Sequence, residues 1–125
     1  MKLTILDELT KQRRELEFPN NESIHTIGRD PRNTLQLPIS PYVVNDGIEV
    51  ISAYISRFHA KLISSNIDGI ERIFIEDCST HGTKIVAPGK DPVLLSKSRD
   101  RINSENYKIL LGKGQYPLLI EKIDY

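Results

Sequence analysis

The sequence predicts an all-β protein, a sandwich of about ten or eleven short, mostly antiparallel strands. Apolar residues recur at every second position in short runs, which is the side-chain period of a strand. Residues suited to turns separate these runs at short intervals. With 125 residues, 38% of them hydrophobic and 27% charged, the chain has the size and composition of one folded domain. We therefore expect a single domain over residues 1–125.

The alternating runs indicate which positions face the core. Their apolar pairs, in chain order, are Leu3 and Ile5, Leu16 and Phe18, Leu35 and Leu37, Ala60 and Leu62, Ile73 and Ile75, and Leu118 and Ile120. Turn-forming residues lie between the runs at 19–21, 30–33, 45–47, 68–69, 87–89 and 112–114. Because no helical period extends past these breaks, the sequence predicts no long helix.

Two longer segments interrupt this spacing. We interpret residues 38–55, with Pro38 and Pro41, as an inserted arm in which Asn45-Asp46-Gly47 could turn an extra hairpin. Residues 91–106 are mostly polar, which predicts a loop with one short strand and leaves room for a short helix.

Charge and targeting signals limit the function classes. Lys plus Arg is 17 and Asp plus Glu is 17, so the formal net charge is zero, which argues against binding long nucleic acid through the whole surface. The first residues reach Asp7 too soon for a signal peptide, and no apolar run approaches the roughly 20 residues of a membrane span. Together with the single cysteine, Cys78, this predicts an intracellular protein, nuclear or cytoplasmic, with no membrane partner.

Three short motifs are expected at strand ends, where one rim of a sandwich would gather them. They read Ile27-Gly28-Arg29, then Ser56-Arg57-Phe58-His59, then Asp77-Cys78-Ser79-Thr80-His81-Gly82-Thr83. In this order they resemble the signature of the forkhead-associated (FHA) domain, which reads Gly-Arg, then Ser-x-x-His, then Ser-x-Asn-Gly-Thr. The motif-bearing part runs from Ile24 to Thr83, and the flanking strand patterns fit the remainder from Leu3 to Ile123.

The resemblance implies an FHA-like β-sandwich whose loops at one rim bind peptides that contain phosphothreonine, mediating protein–protein interaction in intracellular signalling without enzymatic activity. The residue types suit a phosphate, because the planar guanidinium of Arg29 can hold two of its oxygens. Ser56 offers a hydroxyl donor, Arg57 a second cation, and Thr80 another hydroxyl. The expected partner is a phosphothreonine-containing protein or peptide.

Four further motif residues complete the expected site. Gly28 would allow a turn before Arg29, and Gly82 would allow the sharp turn that aims the preceding side chains. By resemblance, His59 is buried and supports the binding loops. His81 departs from the Asn usual in the family, so its imidazole would contact the peptide in a different geometry.

The same residues could in principle serve other chemistries. Ser56, His59 and Asp77 could form a hydrolytic triad, but the chain has no Gly-x-Ser-x-Gly nucleophile elbow. A metal site from His25, His59, Cys78 and His81 would have paired spacing only at Cys78-x-x-His81. We therefore expect no catalytic residue, no metal and no cofactor.

Two binding alternatives also remain. The first is a nucleic-acid module, although no aromatic residues are interleaved among its basic residues for stacking. The second is an FHA-like scaffold that uses the 38–55 arm to bind a partner without phosphate. The arginines that the nucleic-acid alternative would use are Arg13, Arg14, Arg29, Arg32, Arg57, Arg99 and Arg101.

Overall fold

The computed structural model describes residues 1–19, 22–37, 42–44, 47–49, 55–112 and 116–125. In this part of the chain there are thirteen strands and no helix. The strands are β1 (Lys2–Asp7), β2 (Arg13–Glu17), β3 (Ile24–Gly28), β4 (Leu35–Gln36), β5 (Tyr42–Val44), β6 (Gly47–Glu49), β7 (Ala60–Ile67), β8 (Ile70–Asp77), β9 (Thr83–Val86), β10 (Val93–Leu95), β11 (Arg99–Ile102), β12 (Lys108–Leu111) and β13 (Tyr116–Asp124).

Eleven of these strands form the two layers of a β-sandwich. The six-stranded sheet has the order β10-β9-β12-β13-β1-β2, and the five-stranded sheet has the order β11-β8-β7-β3-β4. The described pairs are antiparallel except β3 with β4, which is parallel. The predicted all-β sandwich is confirmed.

The core lies between the two sheets and is built from the inward positions of the alternating runs. Every predicted apolar pair is buried, with each side chain no more than 3% exposed. Phe18 and Leu37 lie one residue past β2 and β4 and are still buried, so each run extends slightly beyond its hydrogen-bonded strand. Burying these side chains removes apolar surface from water, which is the main favourable contribution to folding.

One predicted turn and the predicted extra hairpin are present. β7 and β8 pair up to Ile67 opposite Ile70, with Asp68 and Gly69 as the two-residue turn. β5 and β6 pair with Val44 opposite Gly47, which confirms the extra hairpin in the 38–55 segment and places Gly47 in its second strand. The remainder of that arm up to residue 54, and the turn residues at 20–21, 45–46 and 113–114, lie outside the described residues.

The prediction for residues 91–106 was wrong. This segment contains two short strands, β10 and β11, and none of its residues is helical. Each lies at one edge of its sheet, and only Leu95 and Ile102 are buried while the other positions of these strands are exposed. An edge strand with one buried residue carries too little alternation to be distinguished from a loop.

Candidate functional site

The three motifs meet at one end of the five-stranded sheet. The amide of Arg29 donates to the carbonyl of Ser56 at 3.2 Å, and the amide of Asp30 donates to the carbonyl of Arg57 at 3.1 Å. The amide of Thr80 donates to Ser56 Oγ at 3.1 Å. These bonds join the segments after β3, before β7 and after β8 into one rim.

Gly28 has a different role from the one expected. It is the last residue of β3, and the glycines with positive φ among the described residues do not include it. Instead, a β-carbon at this position would lie 2.1 Å from the carbonyl oxygen of Arg57. Gly28 is therefore required because two backbone segments approach each other closely, and the predicted turn at this residue is wrong.

Asn33 holds the same close approach from the other side. It is buried, and its Nδ2 donates to the carbonyls of Arg57 at 2.6 Å and Asp30 at 2.8 Å. Sequence analysis missed this residue, because the carbonyls that it binds come together only in the fold. Its only sequence signal is its place in the 30–33 turn.

Arg29 reaches the rim with an incomplete set of partners. The side chain is partly buried, and its Nε is buried without a hydrogen-bond partner in the described part of the chain. Only its backbone is held, through Ser56 and through Gln36 Nε2, which donates to the Arg29 carbonyl at 3.4 Å. A buried cationic donor without an acceptor costs free energy that an incoming anion would recover.

Ser56 is fixed on both its backbone and its side chain. Its amide donates to Nδ1 of His59 at 3.0 Å, and its Oγ accepts the hydrogen bond from the Thr80 amide. Since the Oγ lone pair is used in this way, the hydroxyl hydrogen is left to donate to another acceptor. The hydroxyl thus adds a donor beside Arg29.

His59 is fully buried and connects all three segments. Nδ1 accepts from the Ser56 amide, so the ring hydrogen is on Nε2 and donates to the carbonyl of Gly82 at 2.9 Å. The backbone of His59 donates to Ile27 and accepts from Cys78. Burial lowers the pKa of His59 below its ordinary value of 6.5, which keeps this neutral form.

These hydrogen bonds also exclude the hydrolytic triad. Both ring nitrogens of His59 are bound to backbone groups, so neither is free to take a proton from Ser56 Oγ. Asp77 makes its hydrogen bonds to other groups. The triad geometry is therefore absent from this described site.

Asp77 organises the loop after β8, a role that sequence analysis missed. The buried carboxylate accepts from Ser79 Oγ at 2.5 Å, Thr83 Oγ1 at 2.8 Å and the Lys97 amide at 2.9 Å. Burial raises the pKa of Asp77, but the hydrogen bonds outweigh burial and lower it below its ordinary value. Its sequence signal is the Asp-x-Ser spacing, which is typical of a side chain that caps its own turn.

Gly82 closes this loop with a left-handed backbone, φ of 89°, in keeping with the sharp turn expected there. Its amide donates to Ser79 Oγ at 2.7 Å. A β-carbon here would also lie 3.1 Å from Cδ1 of Leu94, so this position has both a conformational and a steric limit.

Thr80 and His81 are exposed at the tip of the same loop. The amide of Thr80 is held by Ser56, which leaves its side chain facing solvent beside the rim. His81 is near enough to His59 for its charge to add a smaller lowering of the His59 pKa after burial.

A group of charges lies next to Arg29. Arg32 binds Asp30 with both Nε and Nη2 at 2.9 Å and stacks over Phe58, its Cζ 5.1 Å from the ring centroid. Hydrogen bonds from Arg32 lower the pKa of Asp30 to about 2, and the charge of Arg57 contributes in the same direction. Asp30 is thus occupied by Arg32, leaving Arg29 and Arg57 as cations that could serve an anion.

The candidate metal ligands are not assembled. No group of three or more His, Cys, Asp or Glu side chains suited to a metal ion occurs among the described residues. His25 is tied to another part of the sandwich, with Nε2 2.5 Å from the carbonyl of Glu17 and the ring edge-to-face with Phe18. Among the residues described, no helix is long and apolar enough to span a bilayer.

The two packed sheets and the rim that their loops form define a β-sandwich interaction module. The sequence profile described as the FHA domain matches residues 25–104, more than half of the chain. The chain therefore belongs to the FHA family, whose members are phosphothreonine-binding protein-interaction modules and are generally non-enzymatic. No curated protein sequence matches the chain.

Solved structures share this fold. An FHA domain from a study of phosphothreonine-dependent FHA interactions is 19% identical, with a TM-score of 0.63 and 100% of each chain covered. The FhaA FHA domain, crystallised with the intracellular domain of Rv3910, is 18% identical, with a TM-score of 0.61 over 97% of this chain and 100% of the other. The FHA domain of the CT664 protein from Chlamydia trachomatis is 20% identical, with a TM-score of 0.58 over 98% and 97% of the two chains.

Proposed function

We propose that this chain binds phosphothreonine-containing peptides at the rim and thereby recruits a phosphorylated protein in intracellular signalling. The phosphate is held by Arg29, Ser56, Arg57 and Thr80, and His81 contacts the peptide beside it. Gly28, His59 and Gly82 support the loops. Residues 1–125 act as one domain.

The observation that carries this proposal is the state of Arg29. Its buried Nε has no acceptor among the described residues, and the Ser56 hydroxyl beside it keeps a hydrogen to donate. A phosphothreonine at pH 7 has a charge of about −1.5 to −2 and three acceptor oxygens, which would satisfy both groups. The similar FHA domain with phosphothreonine-dependent interactions supports the same ligand class.

The rim is also prepared for a ligand before one binds. Ser56 and Thr80 are linked to each other, and His59 connects their segments through two ring hydrogen bonds. A site whose donors are already fixed loses less conformational entropy on binding. The carboxylate of Asp30, which feels the charge of Arg57, is already paired with Arg32 and so competes less for Arg57.

The test is the change Arg29→Ala, measured by calorimetry with a degenerate phosphothreonine peptide library and then with its best single peptide. Charge-assisted hydrogen bonds are worth about 1.5 to 3 kcal/mol each, so losing two should weaken binding by about a hundredfold or more. The matched control is Arg13→Ala, since Arg13 is an exposed arginine paired with Glu121 away from the rim. It should bind like wild type.

The unphosphorylated form of the same peptide should not bind. Equal affinity for the two forms, or an Arg29→Ala variant that binds normally, would contradict the proposal and favour a scaffold that recognises its partner without phosphate.

A further inference from the structure

The outer face of the five-stranded sheet, which looks away from the core, has an unusual side-chain pattern. Register places Ile24, Ile63 and Phe74 opposite one another across β3, β7 and β8. Ile63 is only 7% exposed yet lies outside the core cluster, which agrees with an outward position covered by its neighbours. An apolar row therefore crosses the solvent side of the sheet.

A second apolar pair extends this row along the β7–β8 hairpin. Ile67 and Ile70 are opposite each other and share the outward parity of Ile63 and Phe74. Ile24, Ile67 and Ile70 are 52%, 46% and 51% exposed. With strands about 4.8 Å apart and about 3.3 Å per residue, the row and the pair span roughly 10 by 13 Å.

Positive charge surrounds these apolar side chains. Four cations and one carboxylate, Glu76, point outward from β3, β7, β8 and β11, although the whole chain has zero net charge. Glu76 is paired with Arg99, whose guanidinium also lies over Phe74 at 5.8 Å. The four cations are Lys61, Arg72, Arg99 and Arg101.

Two of the cations have unused hydrogen-bonding capacity. Arg101 is exposed next to Phe74, and no ion pair of its side chain occurs among the described residues. Arg72 lies between the apolar row and the Ile67–Ile70 pair, and its Nε is buried without a hydrogen-bond partner in the part of the chain that is described. A partner on this face would therefore meet both exposed isoleucines and unpaired guanidinium donors.

We propose that this outer face is a second protein-docking surface, for a partner segment that presents acidic and apolar side chains together, such as an amphipathic acidic helix. Charge complementarity selects the acidic residues, because each would neutralise a cation that the face leaves unpaired. The half-exposed isoleucines favour apolar side chains on the partner, since covering the isoleucines removes apolar surface from water. The surface lies away from the Arg29 rim and does not rest on the proposed phosphopeptide binding.

Other occupants fit this face less well. If two copies of the chain packed together through this face, the cations of one copy would lie against those of the other and repel them. An anionic membrane would meet Asp68 at the tip of the hairpin, between Ile67 and Ile70, where the apolar side chains would have to insert. Nucleic acid would cover the isoleucines without a base-stacking ring, because Phe74 is already stacked by Arg99.

The experiment is a peptide-display selection on the whole chain, with counter-selection on a face variant, Ile70→Ser with Arg101→Glu. Both positions are exposed, so the variant should fold, and its melting curve checks this. We expect peptides that combine Asp or Glu with Leu, Ile or Phe. The face variant should bind the best peptide about tenfold more weakly, and binding should weaken as sodium chloride rises from about 50 to about 500 mM.

The matched control is Tyr125→Ser with Lys11→Glu, which alters an exposed large residue after β13 and an exposed cation between β1 and β2, both at strands of the other sheet. It should bind the selected peptide like wild type. The proposal is overturned if no selected peptide distinguishes the face variant, or if the selected peptides lack acidic residues. It is also overturned if the face mediates a concentration-dependent dimer, or binds phosphatidylserine vesicles or duplex DNA in place of the peptides.

Discussion

Gly28 shows how a single missing methyl group sets the position of Arg29. The carbonyl of Arg57 occupies the space that a side chain would need, and this contact lies beside the two amide hydrogen bonds that join Arg29 and Asp30 to the 56–57 segment. The rim therefore depends on the closeness of two backbones as much as on its charged side chains.

We expect Gly28→Ala to destabilise the fold by about 1 to 3 kcal/mol, because the new methyl group forces the two segments apart. The measurement is urea unfolding, with Gly89→Ala as the control. Unlike Gly28, Gly89 has a left-handed backbone, with φ of 71°, so its substitution carries a conformational cost of its own, but its added β-carbon would contact nothing within 4 Å. Gly28→Ala should therefore shift the side-chain signals of Arg29 and Ser56 in an NMR spectrum, and Gly89→Ala should not. A Gly28→Ala protein as stable as wild type, with unchanged rim signals, would contradict this.

The buried ring of His59 predicts a loss of stability in acid. Burial lowers its pKa in the folded protein below the value of 6.5 that applies on unfolding. The unfolded chain then binds more protons, so the free energy of unfolding should fall as pH drops below about 6.5, until the folded pKa is reached. The measurement is the urea midpoint between pH 5 and 8 for wild type and His59→Gln. The variant should be less stable at pH 8 and should show a shallower decline below pH 6.5. If the stability of wild type and His59→Gln fell in parallel with pH, the loss of stability in acid would come from other titrating groups.

At the scale of elements, the loop between β8 and β9 is held from inside by Asp77. One oxygen of its carboxylate accepts from both Ser79 and Thr83, and the other accepts from the Lys97 amide, which belongs to the connection between β10 and β11. Thr80 and His81 thus depend on a residue that need not touch the ligand.

Asp77→Asn should lower the free energy of unfolding by about 1 to 3 kcal/mol, since either orientation of the amide sets its NH2 group against a buried donor. Chemical unfolding measures this change, and Asp100→Asn, an exposed position on β11, is the control. The amides of Thr80 and Gly82 should also exchange with solvent faster in the Asp77→Asn variant. If only stability changed while these amides stayed protected, Asp77 would not be what orders the loop.

Strands with one solvent-exposed face and one buried face could be predicted from the sequence, and strands without this alternation could not. The alternation around Leu62 and Ile75 marks β7 and β8 directly, because each strand turns every second side chain into the core. β10 and β11 were not predicted because each turns only one side chain into the core, which leaves no alternation to detect. The motif residues of the site could be identified by type, but Asn33 and Asp77 could not, since each acts partly through a backbone group that is distant in sequence, the Arg57 carbonyl for Asn33 and the Lys97 amide for Asp77.

At the scale of the molecule, the part of the chain that matches the FHA family is smaller than the sandwich that the structure describes. Residues 25–104 lack β1, β2, β12 and β13, which are four of the six strands of one sheet. The five-stranded sheet would then lose most of the surface against which it packs. A sandwich needs both inner faces to bury its core.

We therefore expect the fragment 25–104 to be unfolded, with amide proton signals in a narrow range of chemical shifts. The chain 1–125 should give widely dispersed amide proton signals under the same conditions. Proton NMR and circular dichroism measure this. A fragment with dispersed signals and a cooperative melting transition would show that the outer strands are additions to a smaller domain.

β1 and β13 are neighbours in the six-stranded sheet, and Lys2 lies directly opposite Asp124. Any chain segments attached at the two ends would leave the sandwich side by side, a few ångströms apart. Tension between such segments would load the first residue pair of β1 and β13 and then the next. The hydrogen bonds between the two strands would break one after another, instead of many being sheared at once. We therefore expect the domain to open at low force when its two ends are pulled apart.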